Sequence, residues 1–383
     1  MSSARLRVLQ LGKFYPPHMG GMETHLQALC GQLQRSVDVR VIVASDDRRT
    51  TEELVDGIRV TRAGTAFRIT TVPICPGMVQ AIRKTPADLV HIHWPNPAAL
   101  LSYLVSRHQG RLIVTYHSDI VRQRVWRRLF QPILSRALRR SAAIIATSAE
   151  YAETSPVLSD FRHRCHVIPF GVDLSKFDRC DKDEVERIRR RYGPRIVLSV
   201  GRLIYYKGLE YLIEAMTGVR GRLLVIGDGP LRSRLERQAV VRNINERAIF
   251  LGEVRDIVPY YHAADVFVLP SVARSEAFGI VQLEAMACGK PVVNTRLESG
   301  VPFVSPHGVT GLTVPPANPG ALADAINLLL GDAQRRTELG NAGRRRVQEE
   351  FSLELMVRRT LDVYDAVRPL DARNASSRQP KRA

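Results

Sequence analysis

The chain has 383 residues, 45% of them apolar and 25% charged, which is enough for two domains with their own cores and too apolar for a disordered protein. Its net charge of +18 calls for anionic partners: nucleic acid, acidic lipid or phosphorylated ligands. Five scattered cysteines without CxxC spacing read as reduced thiols of a cytoplasmic protein, not as a disulfide frame or a zinc site. The N-terminus passes at once into a strand pattern, so no signal peptide is expected. No apolar run approaches the ~20 residues that cross a bilayer, so membrane contact is expected to be peripheral, on the inner face of the cytoplasmic membrane.

Short β-branched or apolar runs predict strands at 7–11, 39–44, 58–62, 89–93, 112–116, 143–147 and 166–169, with room between them for crossover helices. The second half repeats the style at 196–200, 223–226, 249–251, 266–269, 291–294 and 312–314. The economical architecture is α/β, with two doubly wound Rossmann-like domains facing across a cleft. The first is expected over 1–172 and the second over 195–351. A charged linker region with a helix-like stretch at 181–192 falls at 173–194, a final helix at 352–367 and a basic, disordered tail at 368–383.

Along the chain, Gly20 and Gly21 close KFYPPHMGG at a helix start, where free amides would face the cleft. The run is neither a dinucleotide GxGxxG nor a P-loop, which disfavours a kinase or an NAD enzyme. His91 and His93 share one face of a strand and His117 ends another. A metal site is one reading, but no acidic cluster accompanies them, and no metal is expected. His117 is better read as a polar contact to a reacting group, with Asp119 as its neighbour. Residues 120–140 place seven arginines among apolar residues around Pro132. The stretch is either an anionic-membrane contact or a crossover helix with a solvated basic face. Nucleic acid is a weaker reading, because no stacking motif accompanies the arginines.

After strand 196–200, Gly201-Arg202-Leu203-Ile204-Tyr205-Tyr206-Lys207-Gly208 sets two cations between glycines. Arg202 and Lys207 suit phosphate oxygens and would neutralise a departing nucleoside diphosphate; a plain basic loop is the alternative. Gly227-Asp228-Gly229-Pro230 reads as a tight turn more readily than as a nucleotide loop. The richest stretch is SEAFGIVQLEAMACGKP, residues 275–291. Glu276 lies in a loop, Gly279 at a helix start that suits phosphate, and Glu284 about one turn inside the helix, where a carboxylate suits hydroxyls. Phosphate plus polyol suggests a sugar nucleotide; an ordinary helix start with two solvated glutamates is the alternative.

Together, PPHMGG, HIHWPNP, VTYHSD, IPFGVD, GRLIYYKG, IGDGP, FLGEV and SEAFGIVQLEAMACGKPVV resemble the retaining glycosyltransferases of family 4, with a GT-B fold, over nearly the whole chain. The resemblance implies a ribose contact at Glu284 and sugar hydroxyls at Glu276. It puts backbone amides near Phe278, Gly279 and Ile280 on the diphosphate and sugar, and a diphosphate clamp at Arg202 and Lys207 beside Gly201. It also implies a base pocket around Leu251 and Gly252, a donor-approaching loop at Gly20 and Gly21, and a histidine near the transferred sugar at His117. The catalytic set would be His117, Arg202, Lys207 and Glu276, without metal or other cofactor, and the final helix would return to the first domain. The loop at 294–302 carries one glycine where many members have two, which leaves its contacts open.

The activity so implied is transfer of a hexose from GDP-mannose or a UDP-sugar to an acceptor hydroxyl with retained configuration. The acceptor class is a cell-envelope polysaccharide, lipopolysaccharide or glycolipid. A non-catalytic basic protein that binds membrane or nucleic acid, and another GT-B enzyme such as a sugar-nucleotide epimerase, are the alternatives.

Overall fold

The computed structural model describes residues 5–18, 20–69, 72–119 and 124–369, without the side chains of 124–129. It divides into two compact units, Met1–Phe170 with Leu353–Ala383, and Gly171–Ser352.

The first unit holds β1 (Arg7–Leu11), β2 (Asp38–Ala44), β3 (Thr51–Val55), β4 (Ile58–Ala63), β5 (Phe67–Ile69), β6 (Val72–Ile74), β7 (Leu89–Trp94), β8 (Arg111–Tyr116), β9 (Ala143–Ala146) and β10 (Cys165–Val167). Eight of these form a sheet in the order β10-β9-β8-β7-β1-β2-β4-β3, parallel except for β3 against β4. β7 and β9 are buried along their whole length, as strands covered on both faces must be. The order reverses between β7 and β1, so their carboxyl ends flank a switch point of the kind where such sheets bind ligands. The exposed, polar β3 and the β5–β6 hairpin were not predicted.

The final helix, Leu353–Ala366, belongs to this unit and packs on the helix Gly21–Leu33, burying Leu353, Met356 and Tyr364. The helix Arg124–Arg140 contains Pro132. In its described half Leu134, Ala137 and Leu138 are buried and Arg136, Arg139 and Arg140 exposed. Arg164 donates to the carbonyls of Leu138, Arg139 and Ser141 at its end, a cation placed where helix carbonyls lack partners. Residues 120–123 of the basic stretch, and 370–383 of the expected tail, lie outside the described residues.

The second unit is a six-stranded parallel sheet of β11 (Ile196–Val200), β12 (Arg222–Ile226), β13 (Ala248–Gly252), β14 (Val266–Leu269), β15 (Val292–Thr295) and β16 (Gly311–Val314), in the order β13-β12-β11-β14-β15-β16. Its switch point lies between β11 and β14. The expected linker region, 173–194, groups with this unit. Asp181 caps the helix Lys182–Tyr192, whose Ile188 and Tyr192 are buried. Arg189 pairs with Asp265 at 3.2 Å, and the same carboxylate accepts from the Ile196 amide. The stretch is highly charged because only one narrow stripe of this helix is covered.

The helix Ala333–Glu350 packs on Ile280–Ala287, and Gly340 makes that approach possible: a Cβ there would lie 2.0 Å from the Gly289 carbonyl oxygen. Helix propensity alone predicts that Gly340→Ala stabilises by about 1 kcal/mol. The overlap reverses the sign, and a net loss of about 1–3 kcal/mol is expected. A thermal or denaturant midpoint at or above that of the wild type would show that the approach is looser.

Candidate active site

The second unit's site grows from the two loops that leave β11 and β14. Gly201, at φ 144°, turns the chain out of β11, and Gly208, at φ 62°, brings it back where a Cβ would lie 2.2 Å from the Pro270 carbonyl oxygen. Between them the 3-10 turn Tyr205–Lys207 aims Lys207 at the other loop. Lys207 Nζ lies 2.6 Å from Glu276 Oε2, and Ser271 Oγ donates to the same oxygen at 3.0 Å. Burial disfavours the ammonium most strongly, but Glu276 by charge and hydrogen bond, with Tyr206 and Glu284, together outweigh this and raise its pKa, so Lys207 is a fixed cation. Glu276 is buried, yet its Oε1 has no hydrogen bond among the described residues. Arg202, beside the pair, is exposed and has no ion-pair partner among the described residues.

Glu284 repeats the arrangement one turn into the helix Ile280–Ala287. The buried Tyr261 donates to its Oε2 at 2.6 Å, again with Oε1 unengaged among the described residues. Burial raises the Glu284 pKa, and the Tyr261 hydrogen bond and the Lys207 charge oppose the rise. Gly279 caps this helix at φ 75°, without a side-chain cap, and a Cβ there would lie 2.6 Å from Leu269 Cδ2. The loop thus keeps the backbone of Phe278, Gly279 and Ile280 at the start of a helix dipole.

The 294–302 loop, left open by the sequence, braces this stretch. Asn294 Nδ2 donates to Gln282 Oε1 at 2.9 Å, Thr295 Oγ1 to the Ser271 carbonyl at 2.5 Å, and the Gly300 amide to the Ala277 carbonyl at 2.7 Å. Ser299 caps the short helix Gly300–Val304. The GDGP turn is structural. A Cβ at Gly227 would fall 2.3 Å from the Gly201 carbonyl oxygen, and the Leu203 amide donates to the Asp228 carbonyl at 2.9 Å. Leu251 and Gly252 end β13. There Arg232, absent from the sequence prediction, stands 2.9 Å from where a Gly252 Cβ would sit and donates to Asp228 and Glu236.

In the first unit Gly20 is extended and caps Gly21–Leu33 without a side-chain bond. His117 follows β8 and stacks on Phe170, with His25 edge-on to both. His25, His93 and His117 each bring a ring nitrogen within 4.8 Å of the others, a spacing a metal would accept. Hydrogen bonds already use the nitrogens of His93: Nε2 meets Gln10 Oε1 and Nδ1 meets His117 Nε2, both at 3.0 Å. Burial lowers the pKa of His25, His91 and His117 well below the usual range and that of His93 to about 3, so these rings are neutral. Asp119 accepts from Tyr116, Tyr151 and Ser155 and fixes the turn after β8.

The model of the "Glycosyltransferase Family 4" matches residues 19–176 and that of "Glycosyl transferases group 1" residues 181–346. The D-rhamnosyltransferase WbpZ of Pseudomonas aeruginosa is 34% identical over 91% of this chain and 92% of its own length. The O-antigen chain mannosyltransferase C of Escherichia coli is 31% identical over 94% and 98%. The chain belongs to the family 4 glycosyltransferases, with a GT-B fold. Sucrose-phosphate synthase from Thermosynechococcus elongatus superposes with a TM-score of 0.80 at 25% identity, covering 95% of this chain and 99% of its own. Anabaena HepE in complex with UDP and glucose does so with a TM-score of 0.78 at 20% identity over 94% and 100%. No helix among the described residues of this glycosyltransferase is long and apolar enough to cross a membrane.

The phenol under Glu284 yields a test of the geometry. Tyr261→Phe removes a hydrogen bond to an ionised group, worth about 1.5–3 kcal/mol. The bond favours the carboxylate, so the variant's Glu284 pKa lies above that of the wild type. The stability difference is complete above the variant's pKa and vanishes as the pH falls through the wild-type value, itself above the ordinary carboxylate range. Denaturant unfolding as a function of pH reads it, and a difference independent of pH would place the phenol elsewhere.

Proposed function

We propose that this glycosyltransferase moves a hexose from a nucleoside diphosphate sugar, GDP-mannose first among the candidates, to a hydroxyl of a cell-envelope glycan or glycolipid, with retained configuration. The observation that carries the reading is the pair of carboxylates Glu276 and Glu284. Each is held through Oε2 and leaves Oε1 as an open acceptor, next to the unpaired Arg202 and the charged Lys207. Acceptors of this kind take sugar and ribose hydroxyls, and the two cations take the diphosphate. A relative from Mycolicibacterium smegmatis, 32% identical over 86% of this chain, is named as a GDP-mannose-dependent phosphatidylinositol monomannoside mannosyltransferase, which supports the donor and the acceptor class. The structures of HepE with UDP-glucose keep a UDP-sugar in the comparison.

In this reading Glu284 holds the ribose and Glu276 the hydroxyls of the transferred sugar. The backbone at Phe278, Gly279 and Ile280 meets the diphosphate and sugar, and Leu251 and Gly252 border the base. The first unit's own candidates are His117 and the Gly20-Gly21 loop. The bond from the anomeric carbon to the β-phosphate oxygen breaks while the bond to the acceptor oxygen forms, and the acceptor proton passes to the departing phosphate. Arg202 and Lys207 neutralise that phosphate, so no metal is required. The exposed Arg136, Arg139 and Arg140 favour an anionic surface on the inner face of the cytoplasmic membrane. In that half Leu134, Ala137 and Leu138 are buried, so what it offers such a surface is mainly charge.

Arg202→Ala is the clean variant, because the exposed side chain has no ion-pair partner to abandon among the described residues. Its kcat for donor turnover should fall about 10²–10³-fold at unchanged thermal stability, and a chelator should leave the wild-type rate unchanged. A wild-type rate in Arg202→Ala would remove it from the clamp. Absence of binding or turnover across a panel of GDP- and UDP-sugars, with and without acceptor, would sink the donor reading, and an inverted anomeric signal in the product would sink retention.

A further inference from the structure

A line of buried hydrogen bonds runs through the first unit from the last helix to His117. Tyr364, at 0% exposure, meets Gln10 Nε2 at 2.8 Å and His91 Nδ1 at 2.7 Å, and His91 Nε2 meets Thr115 Oγ1 at 2.6 Å. Gln10 Oε1 meets His93 Nε2, and His93 Nδ1 meets His117 Nε2. One atom at the end of the line has no partner among the described residues: the buried Nδ1 of His117.

A primary amide presents distinct donor and acceptor ends, so Gln10 gives the line a direction. Its NH2 donates to Tyr364 Oη, which leaves that hydroxyl its proton to donate to His91 Nδ1. His91 then donates from Nε2 to Thr115. The Gln10 carbonyl end accepts from His93 Nε2–H, so His93 Nδ1 is bare and accepts from His117 Nε2–H. With a neutral ring, His117 Nδ1 is therefore a lone pair. Reversing the amide reverses every bond and would leave a buried N–H orphaned instead, the rarer and costlier defect. Tyr15 Oη, Asn96 Nδ2 and Thr147 Oγ1 are likewise buried without partners among the described residues, and all follow the carboxyl ends of strands of the same sheet, the edge where such sheets take ligands.

We infer that Tyr364 is a positioning residue, which acts through Gln10 and His93 to hold His117 as the Nε2–H tautomer and present Nδ1 as an acceptor to a hydroxyl of the bound sugar. The sugar contact rests on the function proposed above; the tautomer does not. A helix that follows the entire second unit in sequence thus sets the proton position on a ring at the end of β8.

Side-chain nitrogen NMR of the full chain labelled in histidine, with His117 assigned through the signal lost in His117→Asn, reads the tautomer without turnover. The wild type should show His117 protonated at Nε2 alone, and both Tyr364→Phe and Gln10→Leu should show a mixture. His117 protonated at Nδ1 in the wild type, or an unchanged single tautomer in both variants, would overturn the relay. In donor turnover the same variants should lose kcat about ten- to a hundredfold with KM for the donor little changed. Gln10→Glu, whose carboxylate still accepts from His93 Nε2–H, should recover most of the rate. Mixed tautomers with an unchanged kcat would overturn the positioning role and leave the donor assignments standing. A wild-type protein without turnover would sink those assignments, while the NMR result still decides the relay.

Discussion

Lys207 and Glu276 meet at 2.6 Å across the switch point of the second unit, one on the loop after β11 and the other on the loop after β14. A buried ion pair is a poor way to fasten two loops, because desolvation of both charges offsets most of their attraction and a well-packed apolar pair would do as well. Stability alone therefore does not explain it. The pair does what an apolar contact cannot: it holds a lysine charged out of bulk water, and it fixes a carboxylate by one oxygen while the other stays open. The field of Lys207 reaches Glu284 as well and opposes the rise of its pKa. Around this contact the glycines have a plain purpose. Gly201, Gly208 and Gly279 stand where a Cβ would strike Lys207, Pro270 or Leu269, so the loops approach each other as closely as backbone allows.

The first unit solves a similar problem without charge. His25, His91, His93 and His117 are buried too deeply to ionise and have no carboxylate bonded to them among the described residues, so orientation comes from hydrogen-bond direction alone. Such a line is cooperative, and each member is satisfied only if its neighbours point the right way. The device is rigid, and it leaves its loose end at the carboxyl edge of the sheet. Both units therefore present partly engaged polar groups at the carboxyl ends of strands beside a switch point, one set charged and the other neutral.

What could be read from the sequence followed burial. Every predicted strand is present within one or two residues, because parallel strands covered on both faces are continuous apolar runs. β3, TEELV, is exposed along most of its length and has no such run, and the charged helix Lys182–Tyr192 is anchored by only two buried residues. At the site, Lys207, Glu276 and Glu284 were legible as chemistry beside glycine. Their partners Ser271 and Tyr261, and the Gln282–Asn294 bond behind them, were not, since these contacts are made only by the fold. One signal was available and unused. Gln10 in RVLQL, with His91 and His93 in LVHIHW, places polar residues inside strands otherwise apolar enough to be buried, and a buried polar group calls for partners.

The bracing of the carboxylates also bears on retention. A retaining glycosidase sets two carboxyl groups on opposite sides of the scissile bond, one of them free to attack the anomeric carbon. Here Glu276 and Glu284 belong to one unit and follow one strand, β14. Each has an oxygen committed, the first to Lys207 and Ser271 and the second to Tyr261. A carboxylate neutralised by a lysine at 2.6 Å is a poor nucleophile, and one that receives a phenol proton is little better. Near His117 in the first unit, the carboxylate of Asp119 has its oxygens taken by Tyr116, Tyr151 and Ser155. A covalent glycosyl-enzyme thus has no evident seat among the described residues. If configuration is retained, as proposed, the remaining base is the departing phosphate itself. Attack then comes from the face it leaves, which is the face that Arg202 and Lys207 hold.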